Sequence, residues 1–455
     1  MSLFKTYLKT TPERPIHMKN IKRTQIFDAV QTEEISENEK KEREKALRAT
    51  RKRLGKFNQP NQFLGSRNSI GCVSVEISQR CNLSCSLCYL SENSNDVTDL
   101  PLSEVFERLE GVRRNFGIGT NVQISGGDPT MRDRTELVQI VRYARNLGLH
   151  PSLLTNGILC PRDLLVELCE NGLSDVAFHV DLTQKRKGFT TEKELNTIRL
   201  EYIERARGLP LMVMFNTTIF TDNYHELPDL VQFFIEQSDV VGLTSFQLQA
   251  DTGRGEVRGR PDCISLESVR NQISLGAGSE LPWEVVLVGH PQCQSYLPAL
   301  AVNGKAFGLI DDANLFAGFL REFGDVMHDR RQSASAIAWS YFKVMLRKPL
   351  WLLEMLRYVL ARLWFLRHHF WAARGKARPI IFFVKNFMHA DHLDQERIDA
   401  CSFMVMTPDG PVSMCAHNAE RDEYILRPLE IETDHGKEIF YPLSSEKTLI
   451  KDSAA

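Results

Sequence analysis

From residue 71 onward, short runs rich in β-branched and aromatic residues alternate with stretches of helical period. VSVEIS (73–78), NVQIS (121–125), HPSLLTN (150–156), DVAFHVD (175–181), LMVMFNTTIF (211–220) and VGLTSFQLQ (241–249) read as six strands. LSEVFERLEGVRR (102–114), RTELVQIVRYARNLG (134–148), PRDLLVELCENG (161–172) and HELPDLVQFFIEQ (225–237) read as the helices between them. Such alternation predicts an α/β fold with a parallel sheet and a ligand site at the carboxyl ends of the strands. Six βα units fall short of the eight in a closed barrel. The expected core, over 67–280, is therefore an open, partial (β/α)6 barrel.

The flanks have different textures. Residues 1–66 read as an arm in which 33–53, EEISENEKKEREKALRATRKR, is almost entirely charged, acidic before basic, an order that suits a helix dipole. Few apolar positions are available to bury, so a solvated helix is expected there. Beyond 280 the alternation stops. A connecting segment (281–334) leads to an apolar-aromatic stretch (335–378) and then to a tail (379–455), together an α+β extension. In that tail CSFMVM, PDG and PVSMC read as a β-hairpin with Asp-Gly at its turn. Within 350–373, Leu352, Leu356, Val359, Leu363, Leu366 and Phe370 recur at steps of four and three. Leu353, Leu360, Trp364 and Trp371 widen this stripe, and Glu354, Arg357, Arg362 and His368 lie mostly opposite. The pattern is a broad amphipathic helix. Four of the five tryptophans fall in 335–373 beside many Arg and Lys and the lone acid Glu354. That fits an interfacial membrane helix or the wall of a lipid tunnel; a core helix packed on the barrel is the alternative.

Composition narrows the function. A chain of 455 residues holds two or three units, or one barrel with extensions, and 42% hydrophobic with 25% charged residues excludes wholesale disorder. Lys and Arg (56) nearly cancel Asp and Glu (58), which excludes a nucleic-acid binder that works through a general electrostatic field. No run of eighteen apolar residues predicts a membrane span. MSLFKTYLKTTPERPIH lacks the apolar core of a signal peptide, so the expected location is the cytoplasm, with peripheral contact at the inner membrane surface if 335–378 docks there. In that reducing setting ten cysteines point to metal rather than to disulfides.

The sharpest signal is QRCNLSCSLCYL, which places Cys81, Cys85 and Cys88 in C-x3-C-x2-C spacing directly after the first strand. Three thiolates on one loop can hold three corners of a cubane iron–sulfur cluster and leave one iron open to bind a small molecule. A zinc knuckle with a distant fourth ligand is the alternative on spacing alone, and with it the class of non-catalytic metal-binding proteins. SGGDPT follows the second strand; its two glycines let the backbone approach a ligand closely. Thr155 and Asn156 end the third strand, Asp181 ends the fourth and Asn216 lies in the fifth. Each is a polar group at a predicted strand end, suited to ribose or substrate or, equally, to capping and turn formation.

With these residues in place, 71–250 resembles the radical S-adenosylmethionine (SAM) enzymes. The resemblance implies that Cys81, Cys85 and Cys88 bind a [4Fe–4S] cluster whose open iron is chelated by SAM. It also implies that one-electron reduction, by a donor such as ferredoxin or flavodoxin, releases a 5′-deoxyadenosyl radical that takes a hydrogen atom from the substrate. Gly126, Gly127 and Asp128 match the family's Gly-Gly-Glu motif, with Asp in place of Glu, and by resemblance lie at the methionyl amino group. The family often carries an aromatic residue near the adenine where Leu87 stands; Tyr89 is expected to take over part of that role.

The tail adds a narrower likeness. Met388, His389, Asp391, Glu396, Arg397, Cys401, Pro408 to Gly410 and Cys415 follow the order found in radical SAM proteins related to archaeal tetraether lipid synthase, a group with some members associated with pterin methylation. FQLQADTGRG (246–255) resembles that group's sixth-strand segment, but residues 1–66 lack the cysteine-rich zinc module usual there. Cys293, Cys401 and Cys415 are the expected ligands of a candidate auxiliary cluster, its fourth ligand unassigned, with ordinary buried thiols as the alternative. Cys72, Cys160, Cys169 and Cys263 read as packing. The expected activity is radical modification of an unactivated C–H position in a lipid or another apolar molecule. Methylation of a pterin or other small molecule, and modification of a peptide, are the alternatives.

Overall fold

The computed structural model describes residues 36–327, 329, 331–433 and 436–443. It opens with α1 (Glu37–Leu54) and then alternates β1 (Cys72–Ser78), α2 (Leu102–Phe116), β2 (Asn121–Gly126), α3 (Arg134–Asn146), β3 (His150–Thr155) and α4 (Arg162–Glu170). β4 (Asp175–His179), α5 (Glu192–Ala206), β5 (Met212–Ile219), α6 (Leu227–Glu236), β6 (Val241–Leu248) and α7 (Leu266–Ala277) complete the alternation. The six expected runs are these six strands. Val73, Val75, Ile77, Val122, Ile124 and Leu153 are fully buried between sheet and helices, which is why short β-branched runs flanked by amphipathic helices settle into this arrangement.

The remaining elements are β7 (Gln294–Val302), β8 (Lys305–Gly308), α8 (Ala313–Phe323), α9 (Ala334–Met345), α10 (Pro349–Ala372), β9 (Ala377–Asn386) and α11 (Gln395–Asp399). They are followed by β10 (Phe403–Thr407), β11 (Gly410–Ser413), α12 (Met414–Ala419), α13 (Arg421–Ile425), β12 (Leu429–Thr433) and β13 (Gly436–Phe440). The main sheet runs β11-β10-β1-β2-β3-β4-β5-β6-β9-β7-β8. Every neighbour from β10 through β9 is parallel. The extension thus donates β9 and β10 to the parallel sheet. Both reach their places by long excursions, through a helical pair and through a hairpin, so no βα period announces them. At the seam Lys385 Nζ donates to Ser402 Oγ (3.2 Å) and Gln294 Oε1 (2.9 Å), and Arg397 Nη2 donates to the Asn386 carbonyl (2.7 Å).

Three expectations change. α1 is not a fully solvated helix: Ala46, Leu47 and Leu54 are buried along one side, and Arg43 donates to the carbonyls of Arg67 (2.6 Å) and Gly324 (3.0 Å). A sparse apolar stripe suffices because long charged side chains hydrogen-bond the body they lie on. The β10–β11 hairpin forms, but Thr407 pairs with Gly410, so Pro408 and Asp409 are the loop and Gly410 opens the return strand at φ +114°. The stripe on α10 is not buried in the barrel: Leu366 is its one buried residue among those described, while Leu350 (81%), Trp364 (71%) and Trp371 (88%) stand in solvent. Among the described residues no helix is long and apolar enough to cross a membrane.

Candidate metal centre and barrel cavity

The cysteine loop leaves β1 at Ser78 and is clamped from three sides. Asn95 Oδ1 accepts from Cys81 N (3.1 Å); Asn156 Nδ2 donates to Asn82 Oδ1 (2.6 Å) and lies 3.9 Å from Cys81 Sγ. The chain after β6 lies along the loop, donating from Arg254 N to Leu90 O (2.7 Å), Gly255 N to Cys88 O (2.9 Å) and Glu256 N to Ser86 O (2.6 Å). This is the FQLQADTGRG segment, and its backbone pairing explains why a strand-six sequence tracks a strand-one loop. Cys81 and Cys85 are half-buried and Cys88 is buried. Burial pushes the Cys85 thiol far up, Asp181 and the other two cysteines push the same way, and Arg254 opposes. Cys81 is raised too, first by burial and also by Asp128 and Cys88, against a hydrogen bond from Leu83. The sulfurs of Cys81 and Cys85 therefore lie within electrostatic reach of each other and of Cys88, and a bound cation would draw the raised thiols of Cys81 and Cys85 toward the thiolate form.

The Gly-Gly pair sits against the approach to this loop. A Cβ at Gly126 would overlap the Ser78 carbonyl, at φ +120°, and one at Gly127 would overlap the Arg80 carbonyl. Asp128 is 1% exposed and its carboxylate is fully used. Oδ1 accepts from Thr130 N (3.0 Å), Thr130 Oγ1 (2.6 Å) and Thr155 Oγ1 (3.0 Å); Oδ2 accepts from Asn156 N (2.8 Å) and Thr155 Oγ1 (2.9 Å). With all its lone pairs engaged, this side chain fixes the ends of β2 and β3 to each other. Thr155 and Asn156, expected to face a ligand, share that network, and Asn156 alone of the two extends to the cysteine loop.

Asp181 is fully buried. It accepts from His179 Nε2 (2.6 Å), Thr183 N (3.0 Å) and Thr218 N (2.8 Å). Burial works to raise its pKa, but His179 and these donors hold it at about 2. His179 is raised above its ordinary value: burial opposes its charge and the Asp181 carboxylate outweighs burial. The sequence reading missed His179, although Ala177 and His179 occupy alternate positions of β4 and both line the interior cavity. Asn216 and Thr218 of β5 line it as well.

That cavity has a volume of about 1100 Å³. Leu87 and Tyr89 of the cysteine loop border it, and Leu154, Met212, Met214, Leu243, Ile381 and Phe383 give it largely apolar walls. Tyr89 donates to the Gly126 carbonyl (2.5 Å) and lies under the Arg421 guanidinium, 4.7 Å from the ring centroid. Arg421 in turn makes a two-pronged, buried ion pair with Glu76 of β1 (2.8 and 2.9 Å), which holds Glu76 at about 2 against the upward push of burial. Sequence reasoning found neither partner; an acid in the middle of an apolar strand was the available signal.

Cys293, Cys401 and Cys415, 122 residues apart at the extremes, line one cleft with Met388 and Arg397. Each sulfur accepts an N–H: Cys293 from Arg397 Nε (3.3 Å), Cys401 from Phe403 N (3.4 Å) and Cys415 from Met388 N (3.4 Å). Burial and the neighbouring Cys401 raise Cys415 to about 11, with Lys385 opposing. The cleft measures about 10 Å³, room for about one water, so a cluster there would displace Met388 and Arg397. Among the described residues no three His, Cys, Asp or Glu side chains are grouped as they would be around a single metal ion. Cys72 is half-buried, Cys160 and Cys169 are buried, and Cys263 is exposed rather than packed.

Residues 75–234 match the family model described as the radical SAM superfamily. The chain carries a radical SAM domain. A 7,8-dihydro-6-hydroxymethylpterin dimethyltransferase of Methanocaldococcus jannaschii is 30% identical over 207 residues, 43% of this chain and 40% of that protein. A PqqA peptide cyclase of Bradyrhizobium diazoefficiens is 30% identical over 36% of this chain and 43% of its own length. The chain thus spans about two fifths of the length of these curated relatives. Among solved structures, Streptococcus suis SuiB bound to its precursor peptide SuiA aligns at 20% identity with a TM-score of 0.37, covering 49% of each chain. Members of the superfamily bind a [4Fe–4S] cluster and SAM. The cysteine loop here fits such a cluster: three sulfurs on one loop, the Arg254 cation near Cys85, and a roomy cavity bordered by Leu87 and Tyr89 of the same loop.

Proposed function

We propose that this chain is a radical SAM enzyme that modifies an unactivated C–H position of a lipid or another apolar molecule. The observation that carries the reading is the position of the three-cysteine loop at the border of a largely apolar cavity of about 1100 Å³, at the upper end for small-molecule sites. Cys81, Cys85 and Cys88 hold the cluster; with SAM bound and an electron from a ferredoxin- or flavodoxin-type donor, it supplies the radical that removes the substrate hydrogen. Gly126 and Gly127 let the strand end approach the ligand without a side chain between. Asp128 and Thr155 position Asn156 beside Cys81. The His179–Asp181 pair presents a hydrogen-bonding, proton-holding group to the cavity, and Asn216 and Thr218 flank it. Leu154, Met214 and Phe383 exclude water around the reacting carbon. Cys293, Cys401 and Cys415 are the ligands of an auxiliary cluster in this account, which would take the space that Met388 and Arg397 now fill.

One observation favours a second reading, methylation of a pterin or similar small molecule: the relative named as a pterin dimethyltransferase shares 30% identity over 207 residues. Anaerobically reconstituted and reduced protein tests the enzyme reading. It is expected to form 5′-deoxyadenosine from SAM, and Cys85→Ser to form none. No product from the unaltered chain, with lipid extracts or pterins supplied, would sink it. Lipid extracts of a deletion strain and its parent then separate the two substrate classes.

A further inference from the structure

The cavity does not end under the cysteine loop. Its lining continues to the opposite, amino-terminal ends of the strands, where Asn121, His150, Met212, Val240, Gly242 and Ala377 border it. Eight residues of β6 span about 26 Å at ~3.3 Å per residue, so the space runs the height of the barrel. Its floor includes the apolar Val326, Met327, Ile337 and Ala338 beside the polar Arg331, Gln332, Ser333 and Ser335. Met327 Cε lies against Gly119, just before β2, as a flexible apolar stopper.

The floor leads straight into the exposed helical pair. Ile337 and Ala338 belong to α9, whose next residue is Trp339, 56% exposed. α10 continues the same surface with Leu353, Leu356, Leu360, Leu363 and Trp364 outward. This apolar surface is bordered by Lys343, Arg347, Arg357, Arg367, Arg374 and Lys376, against one acid, Glu354, between 335 and 378. Exposed tryptophan and leucine with a single-sign basic border match the interfacial zone and charge of an anionic bilayer. Arg378 stands exposed at the rim where the floor meets β9.

We propose that α9 and α10 dock the protein on an anionic lipid bilayer, and that the apolar chain of a membrane lipid enters the barrel through its floor. The chain passes Met327 and Ala338 and rises toward the cysteine loop while Arg378 retains the anionic headgroup at the rim. A hydrocarbon leaflet is ~15 Å deep, half of a ~30 Å core, so a chain taken from one leaflet is accommodated within the barrel height. The inference rests on the apolar-substrate reading and adds the membrane source and the direction of access.

The test uses the full chain and vesicles of phosphatidylglycerol mixed with phosphatidylcholine, against phosphatidylcholine alone. Cosedimentation is expected with the anionic vesicles and expected to fall at least about tenfold in ~0.5 M salt or in the Arg357→Glu/Arg367→Glu variant. Brominated acyl chains are expected to quench tryptophan fluorescence. Leu353→Glu/Leu360→Glu should abolish sedimentation yet leave uncoupled 5′-deoxyadenosine formation unchanged, which separates failure of docking from failure of the enzyme reading. Binding of a fluorescent fatty acid should weaken at least about tenfold in Ala338→Trp, with SAM binding unaltered. Absence of vesicle binding, or a dimer in solution that Leu353→Glu/Leu360→Glu splits, overturns the docking. Fatty-acid binding indifferent to Ala338→Trp overturns access through the floor.

Discussion

Asp128 offers a sharp perturbation because its carboxylate has no acceptor left over. Asp128→Asn keeps the shape but replaces one oxygen with an NH2 group. In one orientation Asn156 N loses its acceptor, now 2.8 Å; in the other Thr130 N loses its own, now 3.0 Å. Either flip therefore leaves one backbone N–H facing a donor in a site that is 1% exposed. A lost hydrogen bond to a charged group plus a buried unsatisfied N–H costs about 2–4 kcal/mol, a large part of an ordinary folding free energy of ~5–15 kcal/mol. Denaturant unfolding of the apoprotein should show that loss, and reconstituted protein should bind less iron, because Asn156 also steadies Asn82 and Cys81. Thr155→Val should cost about 1.5–3 kcal/mol and combine with Asp128→Asn less than additively, since both act on one hydrogen-bond network. A variant of unaltered stability and iron content but with weakened SAM affinity would refute the reasoning and return Asp128 to direct ligand contact.

Cys401→Ala is expected to lower the iron content of anaerobically purified protein by about four atoms, one [4Fe–4S] cluster, while Cys81, Cys85 and Cys88 keep theirs; an unchanged iron count removes the auxiliary cluster. Gly127→Ala puts a methyl group against the Arg80 carbonyl and should displace the approach to Cys81 at a cost of about 1–3 kcal/mol, read as reduced iron loading and a lower unfolding temperature. The His179–Asp181 pair gives stability with a defined pH window. His179 is raised, so its share is complete below the ordinary histidine pKa of 6.5 and lost as pH rises through its higher folded value; Asp181 is lowered, so its share is lost as pH falls from 3.8 through about 2. His179→Gln should flatten the alkaline decline, and an unchanged pH–stability curve would dissociate the pair.

Much of the barrel was legible because its strands carry a local signal. Val73, Val75 and Ile77 or Val176 and Phe178 announce buried strands by residue type alone, and the C-x3-C-x2-C spacing announces its loop. The hidden parts are those whose meaning depends on distant partners. Lys385 in β9 breaks an apolar run only because Gln294 and Ser402 wait for it at the seam. Glu76 in β1 looks like an interruption until Arg421, 345 residues later, arrives to neutralise it. Asp128 reads as a ligand by resemblance, and only the positions of Thr130, Thr155 and Asn156 show how its carboxylate ties the ends of β2 and β3 together. Conversely the apolar positions along α10 were legible as a helix, but periodicity alone could not say whether protein or solvent faces them.

The distant pairings also explain why the tail is inseparable from the site. β10 lies parallel to β1, the strand that launches the cysteine loop, with Cys72 opposite Phe403. Arg421 reaches back over the Tyr89 ring, and Tyr89 donates to the Gly126 carbonyl. Cys401 and Cys415 flank the same hairpin that carries β10. A change in the cleft of Cys293, Cys401 and Cys415 is thus transmitted to β1 through one strand pairing and one buried ion pair. Breaking that pair by Arg421→Met leaves Glu76 charged without a partner, at a cost of about 3–5 kcal/mol. Glu76→Gln/Arg421→Met removes both charges and should recover much of that stability. If the double variant regains stability but not iron at Cys81, Cys85 and Cys88, the Arg421–Tyr89 contact is what positions the loop; if it regains both, the ion pair serves folding alone.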